Sequence, residues 1–210
     1  MLPQKILAVL FSLPLLSIIF VSGRYWIELG KEGCCRSSKQ NIPYNKFFLA
    51  LVGIGYFSIW PFWVGGIVFL FLNQYYSTFD FATFFLPKAS FLQVAGLMIL
   101  YVGTVFFTWS IGFAGKYLRP SISGVCNEHR LVQDGPLGIV RHPYYVSYVL
   151  ILVGLSLTLV TLCPLVFMLC VIIGTGPTAK AEEEQLATLV GEEYQQYLNR
   201  VGKFFPRLLG

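Results

Sequence analysis

The stretch RHPYYVSYVLILVGLSLTLVTLCPLVFMLCVII, running from Arg141 to Ile173, decides the fold. After His142 it holds no Asp, Glu, Lys or Arg, and it exceeds the roughly 20 helical residues that cross a hydrocarbon core of about 30 Å. It therefore reads as two spans, 144–160 and 162–173, with a tight turn near Thr161. Three further apolar windows lie upstream, at 6–21, 47–72 and 91–112. Composition points the same way. The chain has 210 residues, of which 56% are hydrophobic and 12% charged, against about 25% charged in an ordinary soluble domain. The expected fold is all-α: one polytopic membrane domain over 1–210 with about five transmembrane helices.

Window 47–72 carries Pro61 with Gly65 and Gly66. It fits one kinked helix better than a re-entrant pair, because charge placement requires a crossing there. With five spans, segments 23–46, 113–143 and 174–210 share one side of the bilayer. They hold thirteen of the fifteen Lys and Arg residues, leaving Lys5 and Lys88 for the other side. The positive-inside rule puts the thirteen in the cytosol and the N-terminus outside or in a lumen. Lys5 followed by an apolar run also fits a signal peptide, but an uncleaved first helix is the preferred reading. The net charge of +5 is then mainly a topology signal, with attraction to anionic lipid headgroups as a second effect. Nucleic-acid binding gains no separate support from it.

The five cysteines fall in cytosolic loops (Cys34, Cys35, Cys126) or in the last span (Cys163, Cys170), so reduced thiols are expected. No spacing of Cys and His suits a metal, and none is expected. After Gly174-Thr-Gly-Pro177, the residues Leu186, Leu189, Val190, Tyr194, Tyr197, Leu198 and Val201 keep a helical rhythm. They predict a C-terminal amphipathic helix packing over a cytosolic-face pocket, with Glu182, Glu183 and Glu184 in its first turns near the positive end of the dipole. Glu183 and Glu184 are read as solvated. Phe204-Phe205-Pro206 should stop that helix and anchor it at the interface.

The polar chemistry concentrates in EHRLVQDGPLGIVRHPYYVSY, Glu128 to Tyr148, which contains both histidines of the chain. Pro143 suits the first turn of the fourth span, where its missing N–H costs nothing. Gly135-Pro136 predicts a turn that brings His129 back toward His142. With the acidic residues at 182–184, the histidines and Arg141 would line a pocket open to cytosol above and to lipid below. Such a place suits a water-soluble cosubstrate meeting a lipid-borne one.

His129-Arg-Leu-Val132, Gly135-Pro136, Arg141-His-Pro-Tyr-Tyr145, then Glu182-Glu183, Gly191-Glu-Glu-Tyr194 and Tyr197 together resemble the isoprenylcysteine carboxyl methyltransferase family in order and spacing. The resemblance covers roughly the C-terminal 85 residues. It implies a membrane enzyme that binds S-adenosyl-L-methionine, releases S-adenosyl-L-homocysteine, and methylates the carboxylate of a prenylcysteine or similar lipophilic substrate. It also implies that His129, Arg130, Leu131, Val132, Leu137, His142, Pro143, Tyr144, Tyr145 and Glu182 hold the cofactor. Arg141, His142 and Glu182 would act in catalysis. Leu137 stands where the family has an aromatic residue. Thr178 stands at the family's substrate-carboxylate arginine, so Arg141 is the nearest candidate to supply that charge.

Duller readings accompany these. Arg141 and His142 also suit interfacial charges at a helix end, and Tyr144 and Tyr145 an aromatic belt. Among whole functions, a phospholipid N-methyltransferase-like or sterol-reductase-like membrane enzyme is the alternative. A non-catalytic scaffold or transporter ranks last, because the apolar windows hold no charge.

Overall fold

The computed structural model describes residues 1–31, 44–78, 89–117, 131 and 133–207. Among these the regular elements are all helices: α1 (Gln4–Lys31), α2 (Lys46–Phe71), α3 (Tyr75–Thr78), α4 (Ala89–Tyr117), α5 (Pro136–Ile139), α6 (Pro143–Leu159), α7 (Cys163–Val190) and α8 (Glu192–Arg200). Four are long and apolar enough to cross a membrane, over Gln4–Tyr25, Lys46–Phe71, Ser90–Phe113 and Cys163–Val190. The second window is thus one continuous helix, Pro61 included. α6 is equally apolar but has 17 residues, about 26 Å at 1.5 Å per residue.

The long helices pack side by side around Phe11, Trp63, Leu100, Leu152 and Leu155, all buried. Outward faces carry Ile6, Phe20, Phe57, Met98 and Ile173, more than half exposed, as suits a hydrocarbon solvent. Inside that solvent every polar group needs a partner, and the Trp63 indole finds one by donating to the Phe11 carbonyl at 2.9 Å. α4 and α6 approach closely at glycines on both helices, Gly96 and Gly154. A Cβ on Gly154 would lie 2.7 Å from the Leu100 Cα, so only a hydrogen there lets the two backbones meet.

Polar contacts tie the two ends of the bundle separately. At one end, Gln93 is fully buried at the start of α4. It accepts from the Leu2 amide at 2.8 Å and donates to the Tyr76 hydroxyl at 2.5 Å and the Thr158 carbonyl at 3.5 Å. That gathers the start of α1, the residues after α2, the start of α4 and the end of α6. The tight turn expected near Thr161 is here. Val160 takes a left-handed φ of 53°, Thr161 N donates to Ser156 O at 3.0 Å, and Pro164 opens α7. The opposite end holds Tyr44, residues 140–145 and Glu182-Glu183.

One expectation is corrected. Gly174-Thr-Gly-Pro177 does not separate a span from a tail helix, because α7 runs through it to Val190. Thr175 and Thr178 donate their hydroxyls back to the Val171 and Gly174 carbonyls at 2.5 and 2.8 Å. Gly174 lies so close to α2 that a Cβ would meet the Phe48 carbonyl at 2.6 Å. Glu182 to Glu184 therefore belong to the last third of a long helix, and the argument from a helix N-terminus does not apply to them. The break comes at Gly191, with φ 73°, after which the short α8 turns back.

Candidate active site

Local geometry delivers Arg141 and His142 as a pair. Gly135, at φ 61°, makes the turn into α5, and the chain leaves it extended at Val140. Val140 and Gly202 form an isolated parallel bridge. Arg141 N then donates to Gly202 O at 2.9 Å and His142 N to Lys203 O at 3.2 Å. Pro143 needs no such partner and starts α6. A strap from beyond α8 thus fixes the backbone on which both side chains stand.

Those side chains meet α7. The His142 side chain is 9% exposed and lies between two carboxylates: Nε2 is 2.9 Å from Glu183 Oε1 and Nδ1 is 3.5 Å from Glu182 Oε2. Glu183 also receives Arg141 Nη1 at 3.3 Å and Lys203 Nζ at 3.3 Å. Glu182 Oε1 accepts from the hydroxyls of Tyr145 at 3.1 Å and Tyr44 at 3.2 Å. Rings of Tyr145 and Phe204 lie near the imidazole, each with centroids 5.7 Å away. Arg141 Nε is buried with no hydrogen-bond partner among the described residues, an open donor beside the cluster.

Burial alone would push the His142 pKa down. Hydrogen bonds to Glu182 and Glu183, with their negative charges, outweigh it and hold the imidazole above the ordinary histidine value. A raised histidine stabilises the fold fully below its unfolded pKa of about 6.5, and that contribution fades as pH rises through the folded value. The melting temperature of the detergent-purified protein should therefore fall as pH is raised from about 6.5 upward. His142→Gln should lose that slope. Equal slopes in both proteins would refute the clamp.

The sequence-predicted residues divide clearly. Arg141, His142, Tyr145 and Glu182 come together as expected. Tyr144 instead turns to α4, donating to the Ser110 carbonyl at 3.2 Å. Pro143 is buried at the head of α6. Leu137 contributes its carbonyl, which accepts the Tyr197 hydroxyl at 2.7 Å, and Leu131 packs on the Tyr194, Tyr197 and Val201 cluster of α8 and the strap. Thr178 is buried one turn before Glu182, with its hydroxyl committed to Gly174. His129, Arg130 and Val132 lie outside the described residues, as do Cys34, Cys35 and Cys126. Among the described residues no group of three or more His, Cys, Asp or Glu is placed to hold a metal ion.

Sequence reasoning missed four participants. Glu183, read as solvated, is the hub of the cluster, while Glu184 is solvated as expected, with an exposed partner in Lys180 at 3.7 Å. Lys203 and Tyr44 arrive from segments remote in sequence, and Phe204 stands against His142 instead of serving only as an interfacial anchor. No local pattern announces these contacts. A pair of adjacent carboxylates facing an Arg-His pair was the one signal available for Glu183.

Comparison with known proteins adds an independent line. Residues 95–188, from within α4 to near the end of α7, match the model of the Isoprenylcysteine carboxyl methyltransferase (ICMT) family. The protein-S-isoprenylcysteine O-methyltransferase of Schizosaccharomyces pombe is 28% identical over 131 residues, which make up 55% of this chain and 56% of that protein. The chain thus spans about half the length of the curated relative it matches. The matched stretch contains Arg141, His142, Tyr145, Glu182 and Glu183, whereas Tyr44 and Lys203 lie outside it. Over residues 95–188, the chain is similar to the isoprenylcysteine carboxyl methyltransferase family.

Proposed function

We propose that this protein is an S-adenosyl-L-methionine-dependent carboxyl O-methyltransferase of the membrane, acting on the carboxylate of a prenylcysteine or a similar lipophilic acceptor. The observation that carries this reading is His142 held between Glu182 and Glu183, at one end of an apolar helical bundle and within the stretch that matches the family. The described residues suit the cofactor's charges. Glu182 is placed to receive the cofactor's cationic group, while Arg141 Nε, buried without a partner among the described residues, suits the acceptor's carboxylate. Glu182, His142, Pro143, Tyr145, Leu131 and Leu137 would hold it, together with His129, Arg130 and Val132 outside the described residues. Tyr144, bonded to α4, would support the pocket wall.

When bound, the cofactor supplies an electrophilic methyl group on a sulfonium. Such a transfer needs alignment and exclusion of water more than acid–base chemistry, because an acceptor carboxylate is already ionised. Tyr145 and Phe204, flanking the imidazole, would keep water out, and Glu182 would orient the donor. Arg141 is the candidate for drawing in the acceptor's carboxylate, since Thr178 has no charge and its hydroxyl is bonded within α7.

Topologically, we count α6 as a fifth crossing. Its first turn meets the Glu182 carboxylate of α7 through Tyr145 and its last turn meets Gln93 at the other end, as a span must. The lopsided Lys and Arg count then turns the site toward the cytosol. This means the endoplasmic reticulum membrane in a eukaryote, or the inner membrane in a bacterium. Residues 178–207, through Tyr194 and Tyr197 of α8 and the strap, would roof the pocket.

The test is transfer of a tritiated methyl group from S-adenosyl-L-methionine to a farnesylated cysteine analogue by the purified protein. Radioactivity in a base-labile ester is expected. Base-stable label on a phospholipid amine would favour the N-methyltransferase alternative. No transfer to any acceptor would leave a reductase or scaffold.

A further inference from the structure

We infer that Tyr44, which lies outside the stretch matching the family, is a positioning residue of the site. Its phenol orients the Glu182 carboxylate and so makes the N-terminal half of the chain part of the cofactor's binding machinery.

The packing of α2 against α7 explains how Tyr44 arrives. Gly55 and Gly174 let the two helices run in close contact, an added Cβ at Gly174 meeting the Phe48 carbonyl at 2.6 Å. One turn back from Phe48 is Tyr44, and two turns on from Gly174 is Glu182. The start of α2 is fixed by Asn45, whose side chain accepts from Phe47 N at 3.0 Å, so the residue before that cap is held in place. From there the Tyr44 hydroxyl donates to Glu182 Oε1 at 3.2 Å.

Glu182 Oε1 then carries two phenols, Tyr44 from α2's side and Tyr145 from α6, while Oε2 lies 3.5 Å from His142 Nδ1. Two donors, one from the residue before the α2 cap and one from α6, fix the plane of the carboxylate in a way that one cannot. They leave Oε2 as the oxygen that faces the imidazole and any cationic ligand. A hydrogen bond to a charged acceptor is the stronger kind, so losing one donor should be felt in binding. The hydroxyl itself touches neither of the proposed reacting atoms. Its effect should therefore fall on affinity and leave turnover at saturation nearly untouched.

This inference rests on the reading of the site as a methyl-donor site, and the experiment separates the two. Calorimetric titration of S-adenosyl-L-homocysteine into the full-length wild type comes first. Failure to bind would overturn the functional reading and this role with it. Where the wild type binds, Tyr44→Phe should weaken affinity about tenfold, equivalent to about 1.4 kcal/mol. KM for S-adenosyl-L-methionine should rise by a similar factor, and kcat at saturation should stay within about twofold. Wild-type affinity in Tyr44→Phe, or a fall in kcat with KM unchanged, would overturn the inference while leaving the methyl-donor reading intact.

Discussion

Glu183→Ala is expected to destabilise the protein by about 3 kcal/mol and to abolish methyl transfer, whereas Glu184→Ala next to it should change neither. The difference lies in what each carboxylate touches. Glu183 is 14% exposed and is contacted by Arg141, His142 and Lys203 at once. Its removal leaves a largely buried guanidinium and an imidazole without their common anion, and uncompensated buried charge is far more costly than a lost surface pair. The strap also loses its side-chain anchor at Lys203, although its backbone bonds to Arg141 and His142 persist. Glu184 pairs with Lys180 in an exposed i, i+4 contact worth no more than a few tenths of a kcal/mol. Thermal melting of the two variants side by side gives the comparison, and coincident curves would contradict the role of Glu183 as hub.

A second large effect is expected from Glu182→Ala and His142→Ala. Each should weaken S-adenosyl-L-homocysteine binding about a hundredfold or more without preventing membrane insertion. Neither residue contributes to the apolar core around Trp63, Leu100 and Leu152, so the bundle should still assemble. A charge-assisted contact is worth roughly 1.5–3 kcal/mol, and each tenfold in affinity is about 1.4 kcal/mol. A hundredfold therefore corresponds to the upper part of that range. The two residues touch each other, so the double variant should lose less than the sum of the single losses. Undiminished affinity in both single variants would remove the cofactor assignment.

Most of the architecture could be read from apolar run lengths, because lipid makes length and charge the main constraints. The windows at 6–21, 47–72 and 91–112 became α1, α2 and α4, and the turn at Thr161 stands where the long final run had to fold back. The meeting of His142 with Glu182 was legible too, since the spacing of motifs on either side of a helical hairpin returns both to one end. What failed was local punctuation. Gly174-Thr-Gly-Pro177 reads as a break, yet threonine hydroxyls bonding back to the helix and close packing on α2 carry α7 through it. With the helix extended, Glu182 to Glu184 lost their supposed place at an N-terminus. Tyr44 and Lys203 were invisible for a different reason. Each reaches the site through contacts between segments far apart in sequence, and those depend on the register of α2 on α7 and of the strap on Val140.

Hydrogen–deuterium exchange of the wild-type protein, with and without S-adenosyl-L-homocysteine, tests most directly whether the approach to α6 and the late turns of α7 form one nucleoside-binding place. Slower exchange is expected in peptides covering 128–146 and 179–186 and in the strap at 201–205, with no change around Gln93 or Thr161 at the far end. Protection that is absent from the first two segments, or that appears at the far end instead, would contradict it.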